Sequence, residues 1–159
     1  MIKIRIISVG KIKEKSLDSL IGEYMKRLSA YSKCEAVELN DAFVCKNPNQ
    51  ADIDGVLLKE AEDIEKNILS GSFIVSMCIE GKKLDSEGFA ALIEKTAMSH
   101  SAITFIIGSS HGLHERIKKQ SNLLLSMSDM TFPHNLAKLM LTEQIYRAFK
   151  INSNEKYHK

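Results

Sequence analysis

The amino-acid sequence predicts an α/β fold with a mostly parallel sheet and helices on both faces. Short apolar runs alternate along the chain with segments whose apolar residues follow helical spacing. Two of the runs, residues 73–79 and 103–107, are almost wholly apolar, as in strands that are covered on both faces. The length of 159 residues, with 44% hydrophobic and 26% charged residues, is typical of one globular domain, here residues 1–159.

The amino-terminal half is predicted to hold two strands and two helices. Residues 2–9 alternate apolar and basic side chains and then become apolar, which predicts a strand; residues 34–39 predict a second. Residues 40–54 lack periodicity and are predicted to form a loop, with Asp54 capping a helix that Gly71 ends. The first helix is indicated by the apolar positions Leu17, Leu20, Ile21, Tyr24 and Leu28.

The carboxyl-terminal half continues the alternation. A third strand over residues 73–79 should turn at residues 80–82, and a helix should run from Asp85 or Ser86 to about Met98. A fourth strand, a short helix and a fifth strand are predicted over residues 103–107, 113–120 and 123–127. Pro133 suits the start of a last helix. Its apolar positions are Leu136, Leu139, Met140, Ile145, Ala148 and Phe149.

Ligands of open parallel sheets bind beyond the carboxyl ends of the strands. Three predicted loops lie there: the one after Ile79, the sequence GSSHG at residues 108–112, and residues 128–133. Glycines in GSSHG allow the backbone to approach a ligand closely. The sequence matches neither the dinucleotide fingerprint nor the phosphate-binding GK[ST] loop. By itself, GSSHG predicts a tight turn as readily as a binding loop.

Composition excludes several classes of protein. No apolar run approaches the ~20 residues of a membrane span, and the amino terminus lacks a signal-peptide pattern. The three cysteines have no metal-ligand spacing, which indicates reduced thiols in a cytoplasmic protein. His111 and His114 lie three residues apart without a third ligand, so no metal is expected. A net charge of +2 neither indicates nor excludes a nucleic-acid partner.

The last residues of the chain are unusual for a free terminus. Glu143 and Arg147 are spaced for an ion pair that steadies the last helix, which should end near residue 152. The C-terminal tail that follows, residues 153–159, ends in Tyr157, His158 and Lys159. These groups can stack on a base, transfer a proton and bind phosphate.

Four motifs occur in a characteristic order: GSSHG at 108–112, TFPH at 131–134, EQIYRAFKI at 143–151 and YHK at 157–159. In this order and spacing they resemble the ribosomal RNA large subunit methyltransferase H family, small members of the SPOUT methyltransferases. The segments KIRIISVGKIKEK at 3–15 and IEGKKLDSEGFA at 79–90 also match, so the resemblance spans essentially the whole chain.

The resemblance implies a SPOUT-type fold with a C-terminal trefoil knot, a homodimer and S-adenosyl-L-methionine as cofactor. It implies methylation of N3 of a pseudouridine in helix 69 of 23S rRNA, with the assembled 70S ribosome as substrate. The family's cofactor positions correspond here to Met77, Gly108, Met127, Ser128, Asp129, Met130, Thr131 and Phe132.

The tail is expected to supply the remaining chemistry. The weakly acidic N3 imide must lose its proton before it attacks a methyl group, and His158 is the best candidate to accept it. Tyr157 would stack on the base, while Arg147 and Lys159 would hold phosphate. We expect the tail to reach the cofactor pocket of the other subunit, so that each site is composite.

The sequence departs from the family at Ser109, where the family's loop has a second glycine. If that position needs a positive φ, serine would strain the loop. Three other functions stay open. These alternatives are a catalytically silent ribosome-binding module, a SPOUT methyltransferase for tRNA or another rRNA site, and a generic nucleotide-binding domain.

Overall fold

The computed structural model describes residues 1–157 and contains a five-stranded parallel sheet. The strands are β1 (Lys3–Val9), β2 (Lys33–Leu39), β3 (Phe73–Lys83), β4 (Ala102–Ile107) and β5 (Leu123–Ser126). Their order across the sheet is β2-β1-β4-β3-β5, so β4 is the middle strand. The predicted α/β class and parallel sheet are confirmed; the trefoil knot stays a prediction.

Five helices connect the strands and cover both faces of the sheet, as predicted. They are α1 (Lys15–Leu28), α2 (Gln50–Asn67), α3 (Ser86–Ser99), α4 (Glu115–Gln120) and α5 (His134–Asn152). Helices α1, α3 and α5 pack together on one face, and α2 and α4 lie together on the other. Within residues 1–157, no helix has the length and hydropathy needed to cross a membrane.

The core is centred on β4, whose six residues are all buried. Side chains of successive strand residues point to opposite faces. Phe105 accordingly packs among the helices α1, α3 and α5, and Ile106 belongs to the second hydrophobic cluster under α2 and α4. A strand buried on both faces explains why the sequence of β4 is so uniformly apolar.

The predicted loop over residues 40–54 is too long, because α2 begins at Gln50 rather than after Asp54. The Asn49 side chain accepts a hydrogen bond from the Asp52 N–H at 2.9 Å, and the Asp52 carboxylate accepts one from the Asn49 N–H at 3.0 Å. This reciprocal capping box satisfies two backbone donors at the helix start. Asp54 is not the cap; its carboxylate accepts a hydrogen bond from the Gln50 side chain.

The predicted turn at residues 80–82 is also wrong, because β3 continues to Lys83. The pairing of β3 with β5 shifts register between Met77 and Lys82, so the strand bulges and then pairs again. Gly81 permits the close approach at the bulge, since a Cβ there would lie 2.6 Å from the Leu124 carbonyl carbon. Because the bulge contains polar residues, the apolar run ends before the strand does, and a prediction from apolar runs places a turn there.

One ion pair of the fold contains a buried lysine. The side chain of Lys138 on α5 is 4% exposed, and its Nζ lies 2.6 Å from Oε1 of the partly exposed Glu38 on β2. Removing the Glu38 carboxylate would leave the lysine charge uncompensated away from water. The pair therefore connects the last helix of the chain to the edge strand of the sheet.

We predict that Gly81→Ala destabilises the fold by roughly 1–3 kcal/mol, because its Cβ would overlap the β5 backbone. The matched control is Gly22→Ala on α1, where no atom lies within 4 Å of the new Cβ. That change should stabilise the protein by about 0.5–1 kcal/mol through helix propensity. Urea unfolding of the three proteins measures both effects, and equal stability of Gly81→Ala and wild type would contradict the bulge geometry.

Candidate active site

A cleft of about 720 Å³ lies at the edge of the sheet where β4 and β5 end, beside the middle of β3. It is lined by residues 77–80 of β3, residues 107–113 after β4, and residues 125–128 and 130–134 around and after β5. Lys118 of α4 and Ala137 of α5 complete the lining. The structure therefore brings together the two predicted loops after β4 and β5, whereas the place of the third predicted loop, after Ile79, is taken by residues 77–80 of β3 itself.

The GSSHG loop after β4 is closed by its own backbone. The Gly112 N–H donates to the Ser109 carbonyl at 2.9 Å, and Gly112 has φ +87°. A Cβ on Gly108 would lie 2.2 Å from the Gly112 carbonyl oxygen, which no side chain tolerates. Both glycines are therefore required by the tight turn itself, and the turn holds the Gly108 backbone at the edge of the cleft.

Ser109 does not strain this loop. Among residues 1–157, the only non-glycine residue with a positive φ is Asn154. The Ser109 Oγ instead donates to Glu60 Oε2 of α2 at 2.8 Å, and Glu60 is 5% exposed. The other oxygen of Glu60 accepts the Ala42 N–H at 3.2 Å. A serine at this position thus connects the cleft to α2 and to the loop before it.

The segment after β5 is held by serine side chains. Ser126 Oγ donates to the Ser128 carbonyl at 3.0 Å, and the Met130 N–H donates to Ser128 Oγ at 3.0 Å. Seven of the eight predicted cofactor residues line the cleft. The eighth, Asp129, does not; its carboxylate pairs with Lys83 at the end of β3. That ion pair is exposed and attaches the segment to the sheet.

The other lining residues include Glu80, Lys118 and His134, for which the sequence predicted no role in the site. Lys118 Nζ lies 2.6 Å from Glu80 Oε1, and this hydrogen bond lowers the pKa of the Glu80 carboxyl. The His134 ring packs against Gly10, where a Cβ would lie 2.7 Å from Nε2. The buried Nε2 has no hydrogen-bond partner among residues 1–157. Long-range packing, which a local motif does not report, brings these groups to the cleft.

Arg147 and Tyr157, which were predicted to be catalytic, do not line the cleft. They belong to a cluster formed by α5 and the segment after it, which we call the tail cluster (Glu143, Tyr146, Arg147 and Tyr157). Arg147 Nη2 lies 2.5 Å from Glu143 Oε1, and the Tyr157 hydroxyl donates to the same oxygen at 3.2 Å. The Arg147 guanidinium carbon lies 4.8 Å from the centre of the Tyr157 ring, which meets the Tyr146 ring edge-on at 5.1 Å. The predicted residues His158 and Lys159 lie outside the described residues.

The tail cluster is separated from the cleft of its own chain. The cleft lining on α5 ends at Ala137, and Arg147 lies ten residues, about 15 Å, further along that helix. Burial raises the pKa of Tyr157 well above its usual range, and the negative charge of Glu143 acts in the same direction. Tyr157 therefore stays a neutral phenol at physiological pH and acts as a hydrogen-bond donor, not as a base.

No group of three or more His, Cys, Asp or Glu side chains able to hold a metal ion occurs within residues 1–157. Of the two histidines considered in the sequence, His114 has a structural role. Its Nδ1 accepts the Arg116 N–H at 3.1 Å and so caps α4.

Comparison with known proteins identifies the family. The sequence model of the family described as "Predicted SPOUT methyltransferase" matches residues 2–158. The chain is 46% identical over 158 residues to ribosomal RNA large subunit methyltransferase H of Streptococcus suis, covering 99% of each chain. It is 44% identical, with the same coverage, to the protein of that name from Streptococcus thermophilus. The chain belongs to the ribosomal RNA large subunit methyltransferase H family of SPOUT methyltransferases.

Solved structures agree with the SPOUT methyltransferase fold. A probable methylase family protein from Haemophilus influenzae superimposes with a TM-score of 0.53 at 15% identity, over 100% of this chain and 72% of that one. The tRNA (m1G37) methyltransferase from Aquifex aeolicus gives 0.54 at 17% identity, over 91% and 69%. At these identities the likeness concerns the fold alone.

The thiols of this SPOUT methyltransferase should differ in reactivity. Burial raises the pKa of Cys78, in the cleft lining, to about 11 and that of Cys34 to about 12, whereas Cys45 is exposed. Because the thiolate is the reactive form, a raised pKa slows alkylation at pH 8. We predict that iodoacetamide modifies Cys45 first and that modification of Cys78 accelerates as the pH approaches 11. Peptide mass spectrometry measures this order, and early labelling of Cys78 or Cys34 would contradict it.

Proposed function

We propose that this chain, acting as a single domain, is an S-adenosylmethionine-dependent rRNA methyltransferase. Its target would be N3 of a pseudouridine in the helix 69 loop of 23S rRNA within the 70S ribosome, in the cytoplasm. The observation that carries the proposal is the cleft, because seven of the eight residues that the family resemblance assigns to the cofactor line it together. The names of the relatives support rRNA as the class of substrate.

The cleft is suited to S-adenosylmethionine in size and chemistry. Its volume of about 720 Å³ lies within the range of roughly 300–1,000 Å³ that is usual for small-molecule sites. Apolar side chains such as Ile107, Leu113 and Leu125 suit the adenine ring. The backbone around Gly108 and over residues 127–132 would hold its polar groups, which explains why the site has no polar side-chain signature. S-adenosylmethionine, when bound, supplies an electrophilic methyl group on a positively charged sulfur.

The tail would provide the groups that act on the RNA. N3 of pseudouridine is an imide flanked by two carbonyls, and His158 would accept its proton as the nitrogen becomes nucleophilic. Tyr157 would stack on the base as a neutral ring, as the raised pKa of its hydroxyl favours. Arg147 and Lys159 would bind phosphate. Alignment of the methyl group with the nitrogen is the main contribution that positioning residues make to such a displacement.

The geometry of one chain supports a homodimer with composite sites. Arg147 of the tail cluster lies about 15 Å along α5 from Ala137 of the cleft lining, a separation that favours a site shared between two chains. A second copy in a two-fold dimer would place its tail at the first copy's cleft, and the reverse would hold by symmetry. Each site would then combine the cofactor residues of one subunit with Tyr157, His158 and Lys159 of the other.

The deciding experiment is transfer of labelled methyl groups from S-adenosylmethionine to 70S ribosomes that lack the modification. We predict label in the helix 69 loop with wild type and a rate about 100-fold or more lower with His158→Ala, because the proton acceptor is lost. The control is His100→Ala, a histidine at the end of α3 outside both the cleft lining and the tail. Absence of label with folded wild type would contradict the proposed function. Equal rates for wild type and His158→Ala would contradict the role of His158 as proton acceptor.

Subunit mixing tests the composite site. We expect His158→Ala and Gly108→Ala to be inactive alone, the latter because its Cβ would overlap the Gly112 carbonyl. Mixed and re-equilibrated dimers should regain about a quarter of wild-type activity, since half are heterodimers with one intact site. Each variant remixed with itself is the control. Persistent inactivity of heterodimers verified by native mass spectrometry would show that each subunit works with its own tail.

Protection of Cys78 tests ligand identity without turnover. We predict that S-adenosylhomocysteine slows alkylation of Cys78, which lines the cleft, and leaves exposed Cys45 unchanged. Adenosine triphosphate at the same concentration should not protect Cys78. Protection by the triphosphate alone would favour the generic nucleotide-binding domain instead.

A further inference from the structure

The loop over residues 40–49 exposes an aromatic ring. Phe43 is 90% exposed, and it is the only exposed aromatic residue within residues 1–157. The residues on either side of it, Ala42 and Val44, are half-buried. The extended loop thus turns its small side chains toward the protein and its largest one toward solvent, although burying a phenylalanine would normally favour folding. An isolated exposed phenylalanine in this arrangement suggests a contact with a partner.

The loop lies at the same edge of the sheet as the cleft. It leaves β2 after Leu39, and the carboxyl ends of parallel strands share one edge. The Gly10 N–H at the end of β1 donates to the Leu39 carbonyl at 2.8 Å, and Gly10 in turn packs against His134 of the cleft lining. The start of the loop is therefore attached to the structure around the cleft.

A single carboxylate also attaches the middle of the loop to the cleft. Glu60 Oε1 accepts the N–H of Ala42, the residue before Phe43, at 3.2 Å. Its Oε2 accepts the hydroxyl of Ser109, which lines the cleft, at 2.8 Å. Glu60 is 5% exposed, and both of its hydrogen bonds are partly buried. The position of Phe43 is thereby fixed relative to the glycine loop.

We propose that Phe43 stacks on an unpaired base of the substrate RNA beside the cleft, with the exposed Lys46 available to the neighbouring phosphate. This inference rests on the proposed function and adds an RNA-contacting residue to it. Unpaired bases are the part of RNA that proteins recognise by stacking on aromatic rings, and one ring suffices for one base. A protein interface normally buries about 800 Å² on each partner, far more than one ring provides.

The experiment compares Phe43→Ala, Phe43→Trp and the control Met98→Ala. Met98 is 79% exposed at the carboxyl end of α3, which lies at the opposite edge of the sheet. We expect Phe43→Ala to raise KM for 70S ribosomes about tenfold and to weaken cosedimentation with ribosomes similarly, because one stacked base is lost. Its kcat, its affinity for S-adenosylhomocysteine and its dimer mass should stay those of wild type. Phe43→Trp, which keeps an aromatic ring at this position, and the control Met98→Ala should both have the KM of wild type.

Two results would overturn the inference. Wild-type KM and ribosome binding with Phe43→Ala would show that the ring does not contact RNA. A dimer that dissociates in Phe43→Ala would show that the ring contacts a second copy of the chain instead. Failure of the proposed function would give a different result, because wild type would bind ribosomes but transfer no methyl group. Comparing the cosedimentation of Phe43→Ala with that of wild type would then still show whether the Phe43 ring contributes to ribosome binding.

Discussion

The arrangement of the cleft depends on the burial of β4 in the middle of the sheet. Its six residues are all buried, and the chain passes from Ile107 directly into the glycine loop. A strand packed on both faces has little freedom to shift, so the position of Gly108 is set by the core. The neighbouring strand β3 then brings Met77 beside Ile107 in register. Ligand binding through backbone groups requires such rigidity, because backbone geometry follows the strand that carries it.

Sequence reasoning succeeded where a local pattern matched a local structure. The apolar run of β4 and the helical spacing of α1 gave elements that the structure confirms to within a few residues. It failed at the start of α2, where a capping box without apolar periodicity sets the boundary, and in β3, where a bulge made strand residues look like a turn. Both errors come from backbone and side-chain hydrogen bonding that hydrophobic periodicity does not record.

In the site, too, residues within local motifs were predicted and residues that depend on distant partners were not. The family motifs predicted the cofactor residues, and the structure groups all of these predicted residues but Asp129 around the cleft. Glu60, Lys118 and His134 were missed, since their roles depend on partners distant in sequence, such as Glu60 with Ser109. No spacing rule connects such residues before the fold is known. Ser109 illustrates the point, because a departure that suggested strain proves to be a hydrogen-bond donor to a buried carboxylate.

The ion pair of buried Lys138 with Glu38 has a consequence for synthesis of the protein. Its partners lie on α5 and β2, and α5 also supplies His134 and Ala137 to the cleft. Chains emerge from the ribosome amino terminus first, so the sheet strands are made before α5. Until α5 arrives, Glu38 lacks this lysine and the cleft lacks one of its walls. In a nascent chain this side of the cleft is therefore completed only after α5 has been synthesised and has packed on the sheet.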